Sequence, residues 1–272
     1  MRISLDAERC ARCKKCLRVG ENYCVFWMDD HPYFDEEVCN TCQKCVAVCP
    51  FQAIVVDGHH PEKIAERHSV TADGFTRLLE QRRSTKAFKD EAVPRELLER
   101  IAGAAKFSPN QNKNISIRII TDKELIREID RAAIGFVKTM HGLLFGCKAV
   151  TALIRLFYRD IDVIKRKMEF NGFKRVIYEN AQAVILLVGD RKTPVTESSG
   201  HYVLATMMYM AEVVRVGTCV MDSIYLAFRT DRALRKRFGI TEDVLGAMIL
   251  GYSAEEIVNV PRGYELDIAW NA

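Results

Sequence analysis

No stretch of this sequence is long and apolar enough to cross a bilayer. The greasiest segment, Gly142 to Tyr158, is interrupted by Lys148 and Arg155, whereas a spanning helix needs about 20 predominantly apolar residues. It reads as a buried or interface helix rather than one lying on a membrane surface, so no membrane partner is expected. The opening MRISLDAERC has no apolar h-region and runs directly into cysteines, which predicts a cytoplasmic chain rather than a secreted one. Lys and Arg nowhere form a stripe interleaved with aromatics, and a net charge of +4 is mild. Nucleic acid is therefore not an expected partner. No G-x-G-x-x-G follows a strand-like run, so no Rossmann unit for a nicotinamide is evident. Cysteine is almost missing beyond residue 49, where only Cys147 and Cys219 occur. A secreted disulfide scaffold would spread its cysteines through the part it staples. Both late thiols are expected to be small core residues, Cys147 more firmly than Cys219.

The remaining eight cysteines crowd into the first 49 of 272 residues. They form two runs, CARCKKCLRVGENYC and CNTCQKCVAVCP. The second reads C-x2-C-x2-C-x3-C-P, the bacterial 4Fe–4S spacing. Three cysteines at two-residue gaps wrap one iron–sulfide cube, and the fourth thiolate then comes from elsewhere, in two-cluster proteins from the other run. That crossing assigns Cys10, Cys13, Cys16 and Cys49 to one cluster, and Cys39, Cys42, Cys45 and Cys24 to the other. The first run departs from the pattern: seven residues separate Cys16 from Cys24, and no proline follows. The alternative is structural zinc, but zinc knuckles pair C-x2-C motifs with four ligands per ion, and each triplet here would leave a surplus thiolate. Residues 1–57 resemble the bacterial two-cluster ferredoxins, which implies transfer of single electrons.

Hydrophobic residues at 49% and charged residues at 28% suit a soluble protein with a real core, in one large domain or in a small one plus a medium one. The polar stretch from Asp57 to Phe75 carries three of the six histidines and reads as a linker over 58–74; its adjacent histidines are expected to be solvated. Beyond it the pattern alternates. VPRELLERIAGAAKF has helical spacing, with Pro94 suited to a first turn. ISIRIIT, AVILLVG and AMILGY read as strands. GHYVLATMMYMAEVVRVG is apolar on more than one face and reads as a central helix whose Met207, Met208 and Met210 belong to a core or subunit interface.

RRSTKAF, from Arg82 to Phe88, offers guanidinium, ammonium, hydroxyl and backbone N–H donors at a helix edge, a set suited to phosphate. With its context, residues 75–272 resemble the FMN-dependent nitroreductases. Arg82, Ser84 and Lys86 match that family's Arg-x-Ser-x-basic phosphate motif. Ser108 and Pro109 lead to Asn112 and Asn114, one residue shorter than usual and with Asn in the Gln place. Gly217 to Cys219 matches a loop beside the flavin ring, and Leu250 to Tyr252 with Arg262 matches a late strand and basic residue.

The resemblance implies an α+β chain: a ferredoxin-like two-cluster domain followed by a three-layer α-β-α nitroreductase fold, working as an intertwined homodimer with FMN at the subunit interface. The phosphate would sit among Arg82, Ser84, Lys86 and Arg262, with Arg83 contributing through its backbone. Asn112 would bond the polar edge of the flavin, with Asn114 beside it, and Met221, Asp222 and Ser223 would approach the redox-active edge. The expected activity is reduction of a small planar acceptor, a nitroaromatic, quinone or enone, with electrons from an external low-potential donor, NAD(P)H or another redox protein. Dehalogenation or flavin fragmentation on the same scaffold, a redox-sensing module, and a zinc-stabilised interaction domain are the alternatives. The insert from His141 to Phe170 is expected to cap the acceptor pocket.

Overall fold

The computed structural model describes residues 2–20, 24–39, 42–64, 69–109, 115–158, 160–171, 173–190, 194–260, 263 and 267–270. The chain divides into two compact units. One comprises Met1–Ser69, Ser108–Ile115 and Gly189–Val203, the other Val70–Phe107, Ser116–Val188 and Leu204–Ala272.

The first unit begins with one plan used twice: strand, cysteine loop, short helix, strand. β1 (Ile3–Leu5), α1 (Lys15–Gly20) and β2 (Val25–Met28) are followed by β3 (His31–Phe34), α2 (Lys44–Ala47) and β4 (Ile54–Val56). β1 pairs antiparallel with β4, Ile3 opposite Val56, and β2 pairs antiparallel with β3, Val25 opposite Phe34. Asp29 and Asp30 join the latter two with φ of 48° and 61°, the left-handed pair a tight hairpin turn requires and short acidic side chains tolerate. Strands this short bury little. Of the nine residues in the central cluster, four are Cys16, Cys24, Cys39 and Cys45, packed with Ile3, Val25, Phe34, Val46 and Ile54. A core this small depends on whatever its thiols hold. After β4 the chain folds back, with Val56 and His59 exchanging backbone hydrogen bonds at 3.0 and 2.9 Å, so the stretch read as a linker starts as part of this unit.

The second unit is built on a sheet. α3 (Ala72–Gln81) starts at Thr71, whose hydroxyl accepts the Gly74 N–H at 3.0 Å. α4 (Arg95–Gly103) follows, with Pro94 as its cap rather than in its first turn. Next come β5 (Ser116–Ile120), α5 (Lys123–Phe145), α6 (Lys148–Phe157), α7 (Ile161–Asn171), β6 (Ala183–Gly189), α8 (Pro194–Val213), β7 (Gly217–Val220), α9 (Asp222–Thr230), α10 (Arg232–Arg237) and β8 (Asp243–Gly251). The strand order is β5-β6-β8-β7, with β5–β6 and β7–β8 antiparallel. Side-chain alternation divides the two faces. Val184, Leu186, Val188, Ala247 and Ile249 join one cluster with Ile129 and Ala133 of α5 and Ile224 and Phe228 of α9. On the opposite face Gly246 lies under Leu204 of α8, so close that a Cβ there would meet it at 2.5 Å. Helix, sheet and helix make three layers, the expected α+β class. Met207 is fully buried in α8, and Met208 and Met210 are half-buried.

The apolar stretch from Gly142 to Tyr158 does not form a buried helix. α5 ends at Phe145, the chain bends by 90° before α6, and among the described residues no single helix is long and apolar enough to cross a membrane. α6 buries only Thr151, leaving Leu153, Leu156, Phe157 and Tyr158 exposed. Periodic apolar residues specify a face, and the pattern is silent about what covers it.

Candidate functional site

The cysteine loops owe their shape to residues in left-handed conformation inside the two-residue gaps: Arg12 (φ 55°), Lys14 (59°) and Gln43 (55°). Left-handed residues in such turns direct successive backbone N–H groups into a concavity, a common anion and iron–sulfur cradle. Cys10, Cys13, Cys16 and Cys49 line one recess together with Trp27 and Phe51. Burial pushes the Cys16 thiol up, N–H groups at Leu17 and Cys16 oppose this, and the fields of Cys49 and Cys10 add to the rise. Cys49 Sγ accepts the Ala53 N–H at 3.4 Å.

The second run is grouped separately. Burial, then the field of Cys39, a hydrogen bond with Cys39 and the fields of Cys42 and Asp35 push Cys24 up to about 11. Cys45 reaches about 12, again chiefly by burial, with the Val46 N–H opposing and Cys24, Cys39 and Cys42 adding to the rise. The structure thus brings Cys24 to the second triplet and Cys49 to the first. Among the described residues no three His, Cys, Asp or Glu side chains could hold one single metal ion, whereas four thiols line one recess together. None of the ten cysteines is in a disulfide.

In the second unit the phosphate-like motif leaves α3 in extended form. The Arg82 N–H bonds Leu78 O as the helix ends, and the chain then runs beside β7: Ser84 bridges to Thr218, and the Thr85 N–H donates to Thr218 O at 2.9 Å. Gly217 makes this approach possible, since a Cβ there would stand 2.4 Å from Thr85 Oγ1. Thr85 points inward, buried; Ser84 and Lys86 are exposed, Arg82 is half-buried and Arg83 is exposed.

Cys219 connects this motif to the start of α9. Burial pushes its thiol up, while Lys86, a hydrogen bond with Ser84 and the Arg82 guanidinium act downward and Asp222 acts upward. Arg82, Ser84, Lys86, Cys219 and Asp222 therefore share one locality. Met221 caps α9 and is pinned by its N–H to Ala247 O at 2.9 Å; Asp222 lies in the first turn, exposed, and Ser223 is half-buried. Glu212 joins from α8: burial raises its carboxyl, and Arg82 opposes the rise. A guanidinium, an ammonium and a hydroxyl beside a helix N-terminus suit an anion such as a phosphoryl group.

Three sequence expectations change here. Gly217 to Cys219 is not a loop but most of β7, paired with β8 from Gly217 opposite Gly251 to Val220 opposite Met248; four residues are too few to show a period. Cys219 is buried as expected, yet it faces the cationic motif, and only the pairing of residues 84–85 with Thr218 reveals this. Cys147 is exposed at the start of α6 rather than in a core; it sits at the break between two helices, which the continuous apolar run concealed. Asn112, Asn114 and Arg262 lie outside the described residues.

Comparison with known proteins identifies the arrangement. Residues 79–252 match the nitroreductase family, and residues 32–55 match a 4Fe-4S binding domain. No curated protein matches the chain. Among solved structures, a nitroreductase with bound FMN from Desulfitobacterium hafniense DCB-2 aligns with a TM-score of 0.53 at 20% identity, over 70% of this chain and 93% of its own. One from Bacteroides fragilis NCTC 9343, also with bound FMN, gives 0.54 at 14%, over 71% and 97%. An oxidised iodotyrosine deiodinase bound to FMN and 3-iodo-L-tyrosine gives 0.51 at 16%, over 72% and 98%. At these identities the likeness is one of fold. The family match covers most of the chain, and with the 4Fe-4S domain before it the conclusion is direct: this chain belongs to the nitroreductase family and is an oxidoreductase with an iron–sulfur domain fused ahead of its family fold.

Proposed function

We propose that the chain holds two 4Fe–4S clusters and FMN, the clusters supplying one-electron transfer from an external low-potential donor and the flavin supplying reduction of a small planar acceptor such as a nitroaromatic, quinone or enone. The observation that carries this reading is the exchange between the two cysteine runs: Cys49 lines the same recess as Cys10, Cys13 and Cys16, and Asp35 links Cys24 to Cys39 of the second triplet through its backbone N–H and carbonyl.

The chain's own residues then have distinct tasks. Cys10, Cys13, Cys16 and Cys49 hold one cluster, and Cys24, Cys39, Cys42 and Cys45 hold the other. Cys24 and Cys45, on which burial favours the proton, would hold iron as thiolates, because a coordinating thiol is deprotonated outright. Arg82, Ser84 and Lys86 hold the flavin phosphate with charge-assisted hydrogen bonds, joined by the Arg83 backbone and by Arg262. Asn112 and Asn114 hold the polar edge of the ring, and Met221, Asp222 and Ser223 border its reactive edge. The FMN named for solved structures of the same fold supports this assignment, as does the gathering of Arg82, Ser84 and Lys86 around Cys219. A cytoplasmic homodimer is the assembly this reading predicts, with residues 1–57 as the electron-transfer domain and 75–272 as the flavin domain.

Iron, acid-labile sulfide and flavin analysis of anaerobically purified protein tests the proposal. Wild type is expected to carry two clusters' worth of iron with one FMN, and Cys24→Ser is expected to lose only the iron of the second cluster. Zinc in place of iron, or an unchanged iron content in Cys24→Ser, would defeat it.

A further inference from the structure

The first cysteine loop carries a charge pattern that the binding of a cluster does not require. From Arg9 to Arg18 the sequence holds Arg9, Arg12, Lys14, Lys15 and Arg18 with no acid among them, whereas from Asp29 to Val38 it holds Asp29, Asp30, Asp35, Glu36 and Glu37 with no Lys or Arg. Residues 1–57 together carry seven Lys and Arg against nine Asp and Glu, so the cationic loop stands on a domain of opposite net sign.

This loop is also where the first group of thiols reaches solvent. Cys16 is buried and Cys10 and Cys49 are half-buried, but Cys13 is exposed, with exposed Arg12, Lys14, Lys15 and Arg18 around it in sequence. Two of the five cations have acidic neighbours, Arg9 with Asp6 at 3.5 Å and Arg12 with Asp30 at 2.7 Å. The Lys14 ammonium stands 4.7 Å from the centre of the Trp27 ring, which fixes its position and leaves its charge in place. Lys15 and Arg18 form no ion pair among the described residues. Among the described residues Lys14, Lys15 and Arg18 thus stay without an acidic partner, Lys14 and Lys15 lining the recess that holds the exposed thiol, and the hairpin that carries Asp30 and Trp27 holds the loop's shape.

We infer that this cationic collar is the docking surface for an acidic one-electron carrier protein, which reduces the cluster held by Cys10, Cys13, Cys16 and Cys49. The inference rests on the reading that those thiols hold a 4Fe–4S cluster. A cluster takes up one electron at a time, whereas nicotinamides deliver hydride, so the partner matching an exposed cluster edge is itself a one-electron carrier. In the transfer the reduced carrier loses one electron, the cluster gains it, and no bond forms or breaks. Opposite charge on the two surfaces speeds encounter and sets orientation, with a strong dependence on ionic strength. Asp35, bonded through its backbone to Cys24 and Cys39, stands with its sequence neighbours Glu36 and Glu37 at the second group of thiols, and this negative charge disfavours an acidic carrier there.

The test uses the cluster-loaded, full-length protein and a dithionite-reduced acidic bacterial ferredoxin as the probe carrier, with association and electron-transfer rates followed at low and at high salt. Charge reversal in Lys14→Glu/Lys15→Glu/Arg18→Glu is expected to slow association about tenfold or more at low salt and to flatten the salt dependence. Reversal at exposed Lys63 of the same unit is expected to change neither. Iron content and direct bleaching by dithionite are measured for every variant, and Lys15→Gln/Arg18→Gln, which spares Lys14 and its contact with Trp27, is expected to give a smaller shift in the same direction. Intact clusters with the same association rate in wild type and both collar variants would overturn the docking surface alone. Wild type without iron would overturn the cluster reading beneath it as well. Binding to phosphatidylserine vesicles that depends on the same three residues, with none to the ferredoxin, would overturn it in favour of a lipid surface.

Discussion

Cys147 and Cys219 carry the same side chain into opposite chemistry. Cys147 is exposed before α6, and the Val150 and Ala149 N–H groups hold its thiol below the ordinary value of 9.0. Cys219 is buried in β7, and burial holds its thiol above that value despite Lys86, Ser84 and Arg82 nearby. The thiolate is the reactive form, and a lowered value means more thiolate at any given pH below it. In cluster-loaded protein, alkylation by iodoacetamide is therefore expected first at Cys147, with a rate that climbs with pH about a midpoint under 9.0. Cys219 is expected to stay unmodified until the sheet unfolds. Peptide mapping across pH 6–10 checks this, and a Cys219 that labels alongside Cys147 would contradict it. Nothing in the sequence separates the two, because each sits in an apolar context; burial and backbone donors decide.

At the scale of elements, Asp130 ties the long helix α5 to the segment entering the sheet. Its Oδ1 accepts the Val176 N–H at 2.8 Å and the Ile177 N–H at 2.6 Å, while Val176 and Ile177 are themselves buried in the main cluster. Asp130→Ala leaves both donors without that acceptor, at an expected cost of about 1–3 kcal/mol, and Asp130→Asn, which keeps a carbonyl oxygen in place, is expected to recover much of it. Urea unfolding of the flavin-loaded protein measures both; an Asp130→Ala protein within about 0.5 kcal/mol of wild type, the range usual for surface changes away from such features, would show that water replaces the carboxylate. Element identity was largely legible: AVILLVG stands as β6 at the expected residues, and the apolar helix around Met207 stands as α8. Where the reading failed, the element was short, as in β7, or amphipathic with most of its apolar face exposed, as in α6. Four residues show no period, and an apolar face does not name its cover.

Over the whole molecule, the two units differ in what holds them together. The sheet unit buries Val184, Leu186 and Ile249 completely in a core made of its own apolar side chains. Four of nine residues in the N-terminal cluster are cysteines, so there metal binding and folding are expected to be one process. Chelation of iron after oxidation is expected to unfold the part spanning β1 to β4 while β6 and β8 stay ordered. Amide hydrogen exchange before and after iron removal distinguishes them: protection should vanish at Val25 and Ile54 and persist at Leu186 and Ile249. Retained protection at Val25 and Ile54 would mean that the small core stands without its clusters.

By itself the sequence determined which residue types are available for chemistry. The spacing of eight cysteines implies iron–sulfur ligation, and Arg82, Ser84 and Lys86 offer donors suited to an anion, because ligand type and loop length are local properties; the flavin is what the family resemblance implies. The spacing already assigned Cys24 to the second triplet and Cys49 to the first; only the tertiary structure decided that Cys219 lies beside Ser84 and Thr85 beside Thr218. These contacts join residues distant along the chain, and strand pairing, burial and the fields they create exist only after the chain has folded.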